Sequence, residues 1–125
     1  MTNYPLGDFL IRIKNQALTK GSEVSVAKTK MIVAVAKALL DLGVLREFVE
    51  QDGNIVVKLA YRKKEPVLID LKLVSKPGLR VYMSVDDLLK KKGPKVYILS
   101  TPKGIKNSKQ AIKERVGGEV IAEIL

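Results

Sequence analysis

Residues 44–61 read VLREFVEQDGNIVVKLAY, and this pattern is typical of a β-hairpin. Val44–Val49 is rich in apolar and β-branched residues, and Gln51–Asn54 contains an Asp-Gly pair, which tolerates the positive φ angles of a tight turn. In the returning segment, apolar side chains at alternate positions share one side of a strand, namely Ile55, Val57, Leu59 and Tyr61. The stretch therefore predicts two paired strands with one buried face.

Two amphipathic helices are predicted before this hairpin, at Pro5–Ala17 and Thr29–Leu42, with a short strand at Val24–Val26 between them. Pro5 suits the first helical position, and Gly43 follows the second helix where a C-cap glycine is common. The predicted buried faces are Leu6, Phe9, Leu10, Ile13 and Ala17, and Ile32, Val35, Ala36, Leu39 and Leu40. The first part of the chain is thus a helix-strand-helix-hairpin unit.

The rest of the chain is predicted to be mostly β with short helices. The polar segment 62–66 is a candidate linker, so the predicted domains are residues 1–62 and 67–125. The second domain contains strands at Val67–Val74, Arg80–Met83, Val96–Leu99 and Val120–Leu125, a helix at Ser84–Leu89, and a helix from Asn107 or Ser108 to Gly117. The predicted fold class is α+β, built from two small α/β-type domains.

The charge of the chain points to a polyanionic partner. Lys and Arg number 23 and Asp and Glu 13, which gives a net charge of +10, and residues 58–125 carry +9 of it. Such a surplus most often marks a nucleic-acid-binding protein. No apolar run approaches the roughly 20 residues that span a bilayer, and no signal peptide is expected, so the sequence favours the cytosol or an organelle that makes its own proteins.

Several kinds of chemistry are excluded by composition. The chain has no His and no Cys, so it lacks an imidazole base, a thiolate nucleophile and the usual ligands of zinc. Asp86 and Asp87 offer a carboxylate pair for magnesium, as in a nuclease, but first-turn carboxylates also stabilise the start of a helix. We therefore expect no enzyme, no metal and no cofactor. A generic basic nucleic-acid binder, such as a DNA-compacting protein, is the other alternative.

Two loops combine hydroxyl groups with cations. Ser75–Arg80 contains a Pro-Gly turn between two cations, and Ser100–Gly104 is predicted to link a buried strand to a helix. Cations contact phosphates, whereas hydroxyls can read base edges or a ribose hydroxyl. The run Lys90–Lys92 is interpreted as a solvated loop or a non-specific phosphate contact. Because aromatic residues are sparse, these loops favour structured RNA over stacked single strands.

Several motifs follow the order and spacing of one known family. They are residues 5–15 (PLGDFLIRIKN), Thr29–Lys30, residues 74–82 (VSKPGLRVY), residues 100–104 (STPKG) and Gly117–Glu119. On these motifs, which span essentially the whole chain, the protein resembles the universal family of small-subunit ribosomal proteins numbered eight, in its bacterial or organellar form. The resemblance implies a two-domain structural protein, monomeric within the ribosome and next to other ribosomal proteins.

The resemblance also implies the RNA target and the contacts. The target is a helical element with an irregular internal loop in the central domain of small-subunit ribosomal RNA, bound directly and early, so that the protein helps to assemble the platform. The implied contacts are Ser100, Thr101, Lys103 and Gly104 as the main specific set, Thr29, Lys30, Arg12, Lys14 and Asn15 in the N-terminal domain, and Ser75, Lys76 and Arg80 in a partly structural role.

The chain departs from the family pattern at a few of these places. Pro102 replaces a serine of the loop, which removes one hydroxyl that could contact a base. Tyr4 replaces an acidic helix cap, so a weaker start of the first helix is expected. Ala27 and Ile32 replace a proline and a lysine, which predicts a thinner basic surface beside the second helix.

Overall fold

The computed structural model describes residues 4–91 and 93–125, so Lys92 of the predicted basic run lies outside the described residues. The chain forms two compact units, one ending at Ile69 and the other comprising Asp70–Leu125. Residues 67–69, which the sequence groups with the second domain, belong to the first unit. Within the described ranges, no helix has the length and apolar character needed to span a bilayer.

The first unit has the predicted order of helix, strand, helix and hairpin. Its elements are α1 (Pro5–Leu18), β1 (Glu23–Ala27), α2 (Lys30–Asp41), β2 (Leu45–Gln51) and β3 (Asn54–Leu59). The three strands form an antiparallel sheet in the order β1-β3-β2. The side chain of Tyr4 does not cap α1 with a hydrogen bond, in line with the expectation of a weaker helix start.

The hairpin of β2 and β3 turns as its Asp-Gly pair predicts. Asp52 and Gly53 have φ angles of 52° and 80°, which is the left-handed backbone of a two-residue turn. Ile55, Val57 and Leu59 of β3 are buried in the core, as expected. The placement of Tyr61 on the same strand face is wrong, because β3 ends at Leu59 and the tyrosine is exposed.

The candidate linker at residues 62–66 is itself a small hairpin. Strand β4 (Tyr61–Arg62) pairs with strand β5 (Glu65–Pro66). The turn consists of Lys63 and Lys64, with φ angles of 52° and 68°. Lysine rarely adopts this backbone conformation, so the composition of residues 62–66 indicated only a polar connection. The predicted linker is corrected to a tight turn between two short strands.

The second unit is built on one antiparallel sheet. Its elements are β6 (Leu71–Leu73), β7 (Tyr82–Met83), α3 (Val85–Lys90), β8 (Val96–Thr101), β9 (Gly104–Asn107), α4 (Ser108–Glu114) and β10 (Gly118–Ile124). The strand order is β6-β10-β8-β9, and β7 also pairs with β10. One face of β8 and β10 packs on the helices through a core of Leu88, Tyr97, Leu99, Ala111 and Val120. The predicted α+β class is confirmed.

Several elements of this unit differ from prediction. The strand expected at 67–74 contains only Leu71–Leu73. The last helix ends at Glu114 rather than Gly117, because Arg115 has a left-handed backbone with φ 56° that stops the helix. Strand β9 was not predicted from the sequence, and its presence changes the structural context of residues 100–104.

Candidate nucleic-acid interface

Residues 100–104 form the tip of a β-hairpin, which corrects the predicted strand-to-helix loop. Thr101 at the end of β8 pairs with Gly104 at the start of β9, so Pro102 and Lys103 make the turn. The Thr101 hydroxyl donates to the Gly104 carbonyl at 2.7 Å and accepts from the Lys103 N–H at 3.1 Å. This hydroxyl therefore holds the turn, and Pro102, with its fixed φ, stiffens it.

The hairpin presents one hydroxyl and one ammonium group outward. Within the described part of the chain, the side chains of Ser100 and Lys103 have no hydrogen-bond or ion-pair partner. Ser100 is half-buried in the strand, while Lys103 is exposed at the tip. Gly104 has a φ of +105°, a backbone that favours glycine. The tip thus combines a rigid backbone with two groups that can bind a ligand.

Strand pairing brings the central signature beside this hairpin. Glu119 of β10 lies opposite Ser100 of β8 and also opposite Tyr82 of β7. Because directly paired residues project to the same face of a sheet, these three side chains form one row. Arg80 donates to the Glu119 carboxylate at 3.1 Å, which holds the guanidinium at this row.

Tyr82 and Glu119 are candidate site residues that the sequence did not indicate. The structure places Tyr82 in edge strand β7 with 67% of its surface exposed. An exposed ring in the same row as a hydroxyl and a guanidinium can stack on an unpaired base or donate from its own hydroxyl. Tyr82, Glu119 and Ser100 are aligned by the register of β7, β10 and β8, and no short sequence motif encodes that register.

Ser75 has a structural role, as was expected in part for its motif. It is 1% exposed, accepts from the Val81 N–H at 2.9 Å and lies 3.3 Å from the Val81 carbonyl, to which its hydroxyl donates. The turn beyond it is closed by two reciprocal backbone bonds of 2.8 Å between Lys76 and Leu79, with Gly78 at φ +84°. Lys76 is exposed at this turn and remains available to a phosphate.

Ser75→Ala should therefore lower stability without removing a ligand contact. The substitution leaves the N–H of Val81 without its hydroxyl acceptor, which costs about 1–3 kcal/mol. We expect a lower urea midpoint for the variant and an unchanged RNA affinity under conditions where it is folded. Lys76→Ala is the opposite control, with unchanged stability and weaker RNA binding. A loss of affinity in fully folded Ser75→Ala would contradict the structural role.

In the first unit, Thr29 and Lys30 lie at the start of α2. The Thr29 hydroxyl oxygen caps the helix by accepting from the Ile32 N–H at 3.1 Å. A groove of about 450 Å³ beside it is lined by Lys28, Thr29, Lys30, Val33, Ala34, Lys37 and Glu50. Ile32 is buried, and three lysines line the groove, so this surface beside α2 is basic.

Glu50 is the one acidic side chain among the residues lining that groove. Lys28 Nζ lies 2.8 Å from its carboxylate. The hydrogen bond and charge of Lys28, together with the charge of Lys37, hold the pKa of Glu50 below its ordinary value. Both partners of the pair are about half exposed, so water weakens the pair and Lys28 can exchange it for a phosphate.

Arg12 and Asn15 share a second groove of the first unit, between α1 and β1, while Lys14 does not line it. The Arg12 guanidinium donates to Asp8 at 3.0 Å, which neutralises part of its charge. Arg12 also faces Ile32 across a neighbouring depression, so it lies near the start of α2. Of the three predicted α1 contacts, the structure brings two together.

Both units are basic. Up to Ile69 the chain has eleven basic and seven acidic residues, a net of +4, and from Asp70 onward it has twelve and six, a net of +6. The +9 assigned to residues 58–125 includes four lysines and arginines of the 58–69 segment, which belong to the first unit. A polyanion is therefore attracted by either unit.

Asp87 caps helix α3 with its carboxylate. Its carboxylate accepts from the Ser84 N–H at 3.0 Å, and its own N–H donates to the Ser84 hydroxyl at 3.1 Å, which completes a capping box at α3. Among the described residues, no cluster of three or more carboxylates could hold a metal ion. The neighbouring acids Asp86 and Asp87 thus stabilise the first turn of a helix.

This cap makes the stability of α3 dependent on pH. The Ser84 N–H, then the Ser84 hydroxyl, and the charges of Lys90 and Lys91 lower the pKa of Asp87 below its ordinary value of 3.8. Because the folded pKa is the lower one, the stabilisation is complete above 3.8 and is lost as the pH falls through the folded value. We expect the stability difference between the natural chain and Asp87→Ala to shrink in acid, measured by urea unfolding. A difference that stays constant as the pH falls would contradict this role of the cap.

Comparison with known proteins finds one family over nearly the whole chain. The family model described as Ribosomal protein S8 matches residues 4–125. The small ribosomal subunit protein uS8 of Nitratidesulfovibrio vulgaris is 38% identical, covering 99% of both chains. That of Caulobacter vibrioides is 41% identical, covering 98% of this chain and 97% of the relative. That of Roseiflexus castenholzii is 38% identical with the same coverage.

These matches cover both units and all the motifs discussed above. The family consists of structural ribosomal proteins, so the expectation of a non-enzymatic protein is confirmed on that ground. The chain belongs to the ribosomal protein S8 family.

Proposed function

We propose that this chain binds the central domain of small-subunit ribosomal RNA directly and helps to assemble the platform of the subunit. As a member of its family it is a structural component of the small ribosomal subunit, with ribosomal RNA and ribosomal proteins as partners. The proposal adds the RNA region, a helical element with an irregular internal loop. It also adds that the protein is a monomer within ribosomes of the bacterial cytoplasm, or of an organelle.

One observation carries the proposal, namely the rigid hairpin that presents Ser100 and Lys103 without internal partners among the described residues. The turn is already ordered by Thr101 and Pro102, so little conformational freedom is lost on binding. The Lys103 ammonium can pair with a phosphate, and the Ser100 hydroxyl can donate to and accept from a base edge or a ribose 2′-hydroxyl. This combination recognises both the charge and the identity of the RNA.

The row beside the hairpin extends the contact surface. Glu119 holds Arg80, and the exposed Tyr82 lies opposite Glu119 in the same row. In an irregular internal loop some bases are unpaired and expose their edges and faces, which regular duplex RNA does not. We infer that such a loop is the element that meets Ser100 and Tyr82, while Lys103 contacts its backbone.

The first unit contributes phosphate contacts in this proposal. Lys30 and the groove beside the Thr29 cap concentrate positive charge, and Arg12 with Asn15 forms a second polar groove. These contacts raise affinity without selecting sequence, because phosphates are common to all RNA. Specificity is then assigned to the second unit.

Ser100→Ala tests the proposal, because Ser100 takes no part in holding the turn. We expect affinity for an RNA hairpin with the internal loop to fall about five- to tenfold, the loss of about one hydrogen bond, with unchanged affinity for a scrambled hairpin. Filter binding with both RNAs and a duplex DNA measures this. Ser22→Ala, an exposed serine of the first unit, is the matched control.

Equal affinity of the natural chain for matched and scrambled RNA would refute sequence-selective recognition. Tighter binding to duplex DNA than to either RNA would favour the generic nucleic-acid binder instead. Crosslinks of Lys103 to the central domain in purified small subunits would support the proposal, and crosslinks only to other domains would contradict it.

A further inference from the structure

A cleft opens in the second unit near the start of β8, the opposite end of that strand from the hairpin. It has a volume of about 260 Å³ and lies between α3, α4 and the segment before β8. Leu88 and Tyr97, which are 3% and 6% exposed, line it together with Ile112 and Pro94. Since sites for drug-sized ligands measure roughly 300–1,000 Å³, this cleft suits a single ring or one apolar side chain.

The rim of the cleft is strongly basic. Lys91, Lys95 and Lys109 line it, all three are exposed, and no carboxylate is among the lining residues. Lys95 Nζ lies 3.4 Å from Glu123 and about half of the lysine side chain is exposed, so this pair is weak. A complementary occupant therefore carries negative charge directly beside an apolar or aromatic group.

We propose that the cleft is a second RNA site, which takes the base of one unpaired nucleotide while Lys91, Lys95 and Lys109 bind the phosphates around it. A nucleotide joins a planar ring to a phosphate on either side, which matches an apolar slot with cations at its edge. A duplex cannot enter, because its bases are stacked and paired. This inference rests on the proposed function, since it gives the same RNA a second contact.

The two sites are far enough apart to act separately. Five residue steps along β8 separate Val96, at the cleft, from Thr101, at the hairpin. At about 3.3 Å per step the separation is about 17 Å. An unpaired nucleotide located that distance from the internal loop can reach the cleft while the loop stays on the hairpin.

The test uses the full chain with labelled methyl groups, observed by NMR. We expect hexauridylate to shift the methyl signals of Leu88 and Ile112 in a saturable manner. An abasic hexamer with the same number of phosphates should leave these signals in place, because it has no ring to insert. Equal shifts with the abasic strand, or uridylate shifts confined to the hairpin methyl groups of Thr101 and Ile105, would overturn the proposal.

Variants that each replace one lysine of the rim test whether that lysine binds a phosphate of the RNA. Lys95→Ala and Lys109→Ala should each weaken hexauridylate binding about threefold or more, since each removes a phosphate contact. Lys113→Ala is the matched control, because Lys113 is an exposed lysine on the same helix and does not line the cleft. Equal effects of Lys109→Ala and Lys113→Ala would show general electrostatics only and would refute the site.

A further titration, with an acidic peptide in place of RNA, distinguishes an RNA ligand from a protein partner. If a leucine peptide flanked by glutamates shifts the Leu88 and Ile112 methyls at lower concentration than hexauridylate does, the cleft binds acidic peptide and the RNA assignment is wrong. Failure here is distinguishable from failure of the proposed function. Selective binding of the internal-loop hairpin, lost in Ser100→Ala, would persist if only the cleft inference fails.

Discussion

Lys103→Glu is expected to lower the affinity for the internal-loop RNA by about tenfold or more. Lys103 lies exposed at the tip of the hairpin, and no residue that the structure describes forms an ion pair with it. The substitution therefore breaks no internal contact, and its effect arises in the complex. A carboxylate at this position replaces attraction to a phosphate with repulsion.

The salt dependence identifies this contact as electrostatic. In filter binding over a range of salt concentrations, the slope of log affinity against log salt should become shallower by about one, the share of one phosphate contact. Lys113→Glu makes the same change of charge elsewhere on the second unit and should have a clearly smaller effect. Equal losses for the two variants would mean that only the net charge matters, and the hairpin would not be the contact.

The parts of the fold that the sequence predicts are those with a local signal. The Asp52-Gly53 turn and the Ser84 capping box depend on residues two or three positions apart, so the sequence contains all the information that they need. The buried face of β3 follows from alternation within a single strand. These elements agree with the prediction because no distant residue is required to form them.

The misassigned elements depend on contacts that are distant or unusual. The turn at Lys63 and Lys64 uses a left-handed backbone that lysine seldom adopts, so its residues did not indicate a hairpin. Strand β9 has only four residues and is defined by its pairing with β8. In both cases the strand partner, rather than local preference, determines the conformation.

The residues of the candidate site also divide into those that a local sequence pattern predicted and those that depend on contacts between strands. The combination of hydroxyls and a lysine pointed to residues 100–104, but it could not tell a hydroxyl that binds a ligand from one that holds the backbone. The structure assigns the second role to Thr101 and also to Ser75, while Ser100 stays without a partner among the described residues. The row of Tyr82 and Glu119 depends on β-sheet register, which the sequence alone did not reveal.

Gly118→Ala is expected to cause the largest loss of stability, about 3 kcal/mol, because it inserts a methyl group where two strands touch. A Cβ at this position of β10 would lie against the Ser100 carbonyl oxygen and 3.1 Å from the Thr101 Cα, both of them backbone atoms of β8. Backbone in the middle of a sheet cannot move aside as a flexible side chain does. The small entropic gain of replacing glycine, about 0.4–1 kcal/mol, does not offset this clash.

Because the clash falls on Ser100 and Thr101, the same substitution should also disturb the hairpin that recognises RNA. We expect the melting temperature to fall on the order of 10 °C or more, and the folded variant to bind internal-loop RNA more weakly than the natural chain. Gly21→Ala is the control, because its added Cβ meets chiefly the movable end of the Gln16 side chain. If both alanine variants melt at the same temperature, β10 does not approach β8 as closely as the structure shows, and Ser100 is not held where the RNA contact requires it.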